Sequence, residues 1–318
     1  MRTIETTQTF PLSSVKPLKG LTPYRRYCLE ATGKALQTGK KRRSLPSGFE
    51  GVPFGTIENL EYLRCSKTGS LFLADLPTPE VWRTLLKDVA TYRHTPEAFH
   101  AEISGSRAEN VYLPKREWIE NTLRIQGIRK ARLLEVMTPP SDLSRVLAES
   151  ASFAEVVSLN EMDLCHAPPA FSQPFDAAVL LESLDRVDDP QALLETVWKG
   201  LKPGGLLFVT ALASSGFDVA VLGLHNQYLY PPDRANCFSL QGLELLLRQS
   251  KFKLVEVSTP GVLDVEIVQA HRKENPSLPL SRFEAQVLNS DADTLSAFQS
   301  FLQQQGLSSF ARLVGRKE

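Results

Sequence analysis

Glu182, Asp185 and Arg186 follow an apolar run, Ala177 to Leu181, and their types and spacing suit them to chemistry. A carboxylate at Asp185 can orient or deprotonate an acceptor group, and the Arg186 guanidinium can hold an anionic one. The same pair would serve as a helix-capping salt bridge on the surface. A second group, His225, Asp233 and Arg234, lies in a stretch rich in tyrosine, proline and amides between 225 and 234. Recognition residues concentrate on loops hung from a rigid scaffold, so Asp233 and Arg234 are candidates for substrate contact. Simple packing of a lid would use the same residues. His166 is either a base or an exposed loop imidazole.

These side chains need a frame. The run 177–181, a helical segment from about Pro190 to Leu201, a Pro-Gly-Gly turn at 203–205 and a second run, Leu206 to Val209, predict a βαβ unit in a parallel sheet. Leu193, Leu194, Val197, Trp198 and Leu201 form the helix's packing stripe, with Asp189 at its cap and Pro190 at its first position. Glu182 then falls at a strand's carboxyl end, the edge where open α/β sheets bind ligands. Upstream, the pattern predicts a helix from Lys115 to Gly127, a strand at Arg132–Val136 and another at Ala154–Asn160. Leu254–Val257 and Val265–Val268 read as a final antiparallel pair, and residues 275–318 as a helical tail. One face of that tail carries Phe298, Phe301, Leu302 and Leu307, for core packing or a homodimer contact. Nearer the start, residues 61–72 read as two short strands around Lys67-Thr68-Gly69, followed by a helix capped by Thr78 with Pro79 first.

The 318 residues hold 36 Lys+Arg and 36 Asp+Glu, so the net charge of zero offers no global attraction for nucleic acid or membrane. No apolar run approaches the roughly 18 residues of a membrane span, and the first residues lack a continuous apolar core for a signal peptide. A cytoplasmic protein with a small-molecule substrate and no nucleic-acid or membrane partner is the expectation. Cys28, Cys65, Cys165 and Cys237 form no CxxC pair, which suits reduced, buried thiols. Lys40-Lys41-Arg42-Arg43 has no interleaved aromatics and reads as a solvated loop.

The detailed wording of residues 175–210, continued by Pro231-Pro232-Asp233-Arg234, Phe238-Ser239 and the run from Ser258 to Val268, resembles class I S-adenosylmethionine-dependent methyltransferases. The resemblance covers roughly residues 108 to 270. It implies an α/β fold: a Rossmann-like seven-stranded sheet flanked by helices, over 108–274, with an accessory region at 1–107 and the helical tail at 275–318. It implies S-adenosylmethionine as cofactor, held by Glu135, Val136, Met137 and Thr138 after the first strand, Asn160 and Asp163 after the second, and Glu182 after the fourth. It further implies methyl transfer to a small-molecule or sugar-like acceptor. In the family, Glu-His often stands where Asp185-Arg186 does. Residues 51–75 also resemble a small zinc ribbon preceding some of these enzymes, but only Cys65 remains of its ligands, so no metal is expected.

One departure bears on the cofactor. The family's first strand leads into a glycine-rich turn, where backbone amides approach the ligand. Here the turn is Met137-Thr138-Pro139-Pro140-Ser141-Asp142, without glycine and with two prolines that lack N–H donors. Thr138 as cap and Pro139 as first helical residue would preserve the fold, whereas the standard mode of holding the methionine moiety would not survive. Asn160 replaces the acid that accepts the ribose hydroxyls, although Glu161 and Asp163 lie close by. Glu135 and Asp176 are only 41 residues apart, a tight fit for a second strand, a crossover helix and a third strand. A trimmed adenine wall, with residues 167–170 as loop, is expected. The alternative function is a catalytically inactive, methyltransferase-like scaffold that binds a partner or metabolite.

Overall fold

A computed structural model describes residues 10–16, 18–95, 100–139 and 141–318. Helix α1 (Leu18–Gln37) precedes an antiparallel meander of β1 (Gly51–Ile57), β2 (Leu60–Cys65) and β3 (Leu71–Leu73). Helix α2 (Pro79–Arg93) follows, with the Thr78 side chain accepting from the Val81 amide as its capping pattern requires. A π-helical turn, Ala108–Tyr112, leads into α3 (Leu113–Ile125), which stops at Gly127 with φ of +75°.

The main sheet starts with β4 (Ala131–Val136), then α4 (Asp142–Ala148), β5 (Phe153–Leu159), α5 (Glu161–His166) and β6 (Phe175–Leu181). The predicted βαβ unit closes through α6 (Pro190–Gly200) into β7 (Leu201–Leu212), with Asp189 Oδ1 accepting from the Ala192 amide at 2.9 Å. Beyond it lie α7 (Leu240–Gln249), β8 (Phe252–Ser258), α8 (Asp264–Glu274), α9 (Ala292–Gln305) and β9 (Phe310–Lys317). Strand order is β8-β9-β7-β6-β4-β5, with β4 to β7 parallel and β9 antiparallel to both neighbours. Ala177, Ala178, Val179 and Leu180 are fully buried, as a strand covered on both faces requires.

Three expectations are corrected. The sheet has six strands rather than seven: between β5 and β6 there is only the short α5 and a loop, because that interval cannot hold a crossover and another strand. Val265–Val268 is helical, not a strand, because Asp264, Val265, Val268 and His271 are buried at helical spacing in α8. The antiparallel partner of β8 is instead β9, so the presumed helical tail ends in a strand inserted between β8 and β7. Ala311 to Gly315 are buried without a break, which suits that interior position.

The N-terminal part covers the carboxyl ends of the parallel strands. Trp82, fully buried on α2, donates its indole N–H to the Arg186 carbonyl at 2.8 Å, and the Tyr62 hydroxyl donates to the Arg234 carbonyl at 2.8 Å. Among the described residues, no helix is long and apolar enough to cross a membrane.

Candidate functional site

At the carboxyl ends of β4 and β6, under α2 and α3, is a cavity of about 90 Å³. Arg93, Arg107, Lys115, Glu135, Glu182 and Arg186 supply its charged lining, together with Asp142. Glu182 follows β6 with φ of +64°, a region that residues other than glycine seldom enter and that recurs at ligand sites. Its Oε2 accepts from Arg234 Nη2 at 2.7 Å, its Oε1 lies 3.6 Å from Lys115 Nζ, and Arg186 approaches at 3.9 Å. Burial works to raise the Glu182 pKa, but the charges of Arg234, Lys115 and Arg186 outweigh it and hold the carboxyl well below its ordinary range.

Behind this layer, the fully buried Asp185 accepts from the Leu212 amide at 3.1 Å and pairs with Arg234 Nη1 at 3.2 Å. Burial pushes its carboxyl up to about 7, with Arg234 opposing and Glu182 reinforcing. A carboxyl that protonates more readily when folded stabilises the native state fully below its unfolded pKa, and loses that stabilisation as pH rises to its folded pKa. The window for Asp185 is therefore 3.8 to about 7. Wild type is expected to lose about 2–3 kcal/mol more than Asp185→Asn between about pH 5 and about pH 8, measured by urea unfolding. Parallel pH profiles of the two proteins would refute this.

Asp233 binds Arg93 Nη2 at 2.8 and 2.9 Å and accepts from the Tyr24 hydroxyl at 2.9 Å, with Arg186 Nε at 3.4 Å. Despite burial, Arg93 and Arg186 hold its carboxyl below the usual value. The predicted substrate residues Asp233 and Arg234 thus bind the protein itself, leaving Arg186 on the cavity wall. His225 is exposed in a 3-10 turn and does not line this cavity. His166 is likewise exposed, paired with Asp188 at 2.8 Å.

The positions that the family resemblance assigns to a cofactor are otherwise engaged. Glu135, Val136, Met137, Thr138 and Glu182 do line the cavity, but Glu135 Oε2 accepts from Ser144 and Ser158, both at 2.7 Å. Thr138 does not cap α4; Ser141 does, accepting from the Leu143 amide, while Thr138 donates to the buried Glu161 at 2.6 Å. The Asn160 side-chain oxygen caps α5 through the Met162 and Asp163 amides at 2.9 and 3.4 Å. Asp163 pairs with Arg83 at 2.6 Å and stands away from the cavity. Pro140 lies outside the described residues. With Thr138 and Asn160 engaged, only Glu135 Oε1 among those acceptors left without a partner, no third strand and about 90 Å³ of space, this edge does not fit S-adenosylmethionine in the standard manner. Ligand pockets ordinarily span roughly 300–1,000 Å³.

Lys115, Arg93 and Arg107 were not singled out from sequence as site residues. A signal for Lys115 was present: it shares the apolar face of α3 with Trp118, Ile119, Thr122 and Leu123, all buried. A depression of about 1200 Å³ lies elsewhere, beyond edge strand β8. Its polar side chains hold structure together: Glu256 accepts from the Trp118 indole at 3.1 Å, and Gln299 donates to the Gly261 carbonyl at 2.8 Å. Among the described residues, no group of three or more His, Cys, Asp or Glu could hold a metal ion.

Residues 109–257 match the family model described as a methyltransferase domain. No curated protein matches the chain. Among solved structures it is similar to the 1,6-didemethyltoxoflavin-N1-methyltransferase of Burkholderia thailandensis, determined with 1,6-didemethyltoxoflavin and S-adenosylhomocysteine. Identity there is 12%, over 83% of this chain and 98% of that one, with a TM-score of 0.44. A SAM-dependent methyltransferase of Thermotoga maritima is 17% identical over 69% and 97%, with a TM-score of 0.40. The plantazolicin methyltransferase BamL, determined with S-adenosylhomocysteine, is 12% identical over 75% and 96%, with a TM-score of 0.42.

Proposed function

From a chain that matches the methyltransferase-domain family over residues 109–257, we propose a scaffold of that descent whose ligand edge holds a small metabolite instead of S-adenosylmethionine. The observation that carries this reading is a cavity of only about 90 Å³ at the ends of β4 and β6, lined by the side chains at the cofactor positions. Thr138 and Asn160 spend their polar atoms on Glu161 and the α5 amides, and Glu135 commits one oxygen to Ser144 and Ser158 while its Oε1 stays buried without a partner. A bound nucleoside would have to break those bonds, and each buried polar group left without a partner costs about 1–3 kcal/mol. A fold hosts many functions, so descent alone does not supply methyl transfer. The second reading, methyl transfer to a small-molecule or sugar-like acceptor, is favoured by the family match.

Calorimetric titration with S-adenosylmethionine and S-adenosylhomocysteine separates the two. The expected outcome is no detectable heat at several temperatures, with circular dichroism showing folded protein. Several temperatures are needed because apolar burial gives binding a heat-capacity change, so its enthalpy crosses zero somewhere. Micromolar binding of either compound would instead favour the enzyme.

A further inference from the structure

The charges around the cavity do not balance locally. Lys115 is 6% exposed, its ammonium donates no hydrogen bond among the described residues, and its Nζ is not among the fully buried atoms, so what remains open of it faces the cavity. Its one carboxylate neighbour, Glu182, stands at 3.6 Å and is already bonded to Arg234 at 2.7 Å. Its other close approach is to the Phe310 ring, at 5.5 Å. An ammonium has three donors, and a buried cation without acceptors is costly.

Two guanidinium groups stand beside it, Arg186 held only by the longer ion pairs to Asp233 at 3.4 Å and Glu182 at 3.9 Å, and Arg107 without a carboxylate. Arg107 Nε is buried without a hydrogen-bond partner, and Arg186 Nε makes an ion pair with Asp233 but no hydrogen bond. Arg107 otherwise donates to the Val15 carbonyl at 2.9 Å and the Tyr112 hydroxyl at 3.4 Å, neither of them charged. Glu135 cannot compensate, because its Oε2 faces Ser144 and Ser158 and burial raises its pKa toward the neutral form.

We propose that this cavity is a binding site for one small oxyanion, with Lys115 as the central ligand and Arg186 and Arg107 beside it. The inference rests on the metabolite-binding reading above and gives its chemical class. A cavity of about 90 Å³ is well below the roughly 300–1,000 Å³ of ordinary ligand pockets, which suits a small anionic group better than a nucleoside. Arginine beside lysine suits phosphate or carboxylate, the guanidinium by its planar donor fork and the ammonium as a point charge. An oxyanion here would give Lys115 the acceptors it lacks and relieve Glu182 of serving three cations.

The test uses the full chain at constant ionic strength, with inorganic phosphate and sodium acetate as probes against sodium chloride. Calorimetry of wild type should show one saturable site for phosphate, acetate or both, and the preferred anion should raise the melting temperature. Lys115→Met should weaken that binding at least tenfold, and Lys115→Arg should largely retain it. Should Lys115→Met fail to fold, Arg107→Gln serves as the second variant, with the same direction of effect. No saturable binding of either anion to wild type would overturn the proposal, as would equal binding by all variants, which would mean an adventitious ion only. S-adenosylhomocysteine is titrated in the same series. Absence of both ligands sinks the oxyanion site alone, whereas tight S-adenosylhomocysteine binding without anion binding sinks the metabolite reading as well.

Discussion

A chain ending at Ser309 is expected to show no cooperative unfolding transition. The missing residues would be β9, which pairs with β7 on one side and β8 on the other. Its removal strips two strands of their ladder partners in the sheet interior, where unpaired backbone groups are costly. It also deletes Ala311, Leu313 and Val314, all fully buried. Burying a leucine or valine side chain contributes about 1.5–3 kcal/mol, and a whole domain is stable by only about 5–15 kcal/mol. The lost apolar burial and the exposed ladder together exceed that margin. Urea titration followed by circular dichroism is the measurement. A sharp transition with the wild-type slope would mean that the last residues are a dispensable tail and that β7 needs no such neighbour.

Asp233→Ala is expected to destabilise the protein by about 3–5 kcal/mol, the usual cost of breaking a buried ion pair by removing one partner. The Asp233 carboxylate gathers Arg93 from α2, Tyr24 from α1 and Arg186 from the main domain. Without it, the Arg93 guanidinium would be left beside a tyrosine hydroxyl. Because the folded pKa of Asp233 is depressed, its stabilising contribution is present above the unfolded value of 3.8 and is lost as pH falls through the folded one. The difference between wild type and variant should therefore shrink in acid. A loss under about 1 kcal/mol at neutral pH, in the range of a surface ion pair, would show that this network does not bind the N-terminal part to the sheet.

Several local features were legible in residue order. The βαβ unit at 175–212 shows as two apolar runs around a striped helix, and Thr78, Asp189 and Ser239 cap the helices that their chemistry predicts. The missing third strand was foreshadowed by the short interval before Phe175. The altered cofactor edge was visible in the glycine-free turn at 137–142, although which residue caps α4 was misread. Thr138 and Ser141 are equally good caps in isolation, and only the buried Glu161 beside Thr138 separates their roles.

Other features needed the folded chain. Val265–Val268 carries an alternation that suits a strand, yet Asp264 accepts from the Ser308 hydroxyl and the Ser309 amide, both at 2.6 Å, at the head of a helix. That joint aims residues 310–317 into the sheet, a placement set by partners far away in sequence. Asp233 and Arg234 were found as a charged pair, but not that Tyr24, Arg93, Glu182 and Asp185 would occupy them. Lys115 read only as the first residue of a helix, and became a buried cation once α3 lay across the ends of β4 and β6. The sequence by itself determined the strand and helix periodicities, the caps and the loss of the glycine turn, because these depend on residues within a few positions of one another. The tertiary structure decided the strand order, the charge network and the size of the cavity, because pairing and burial depend on which distant segments exclude water from the same place.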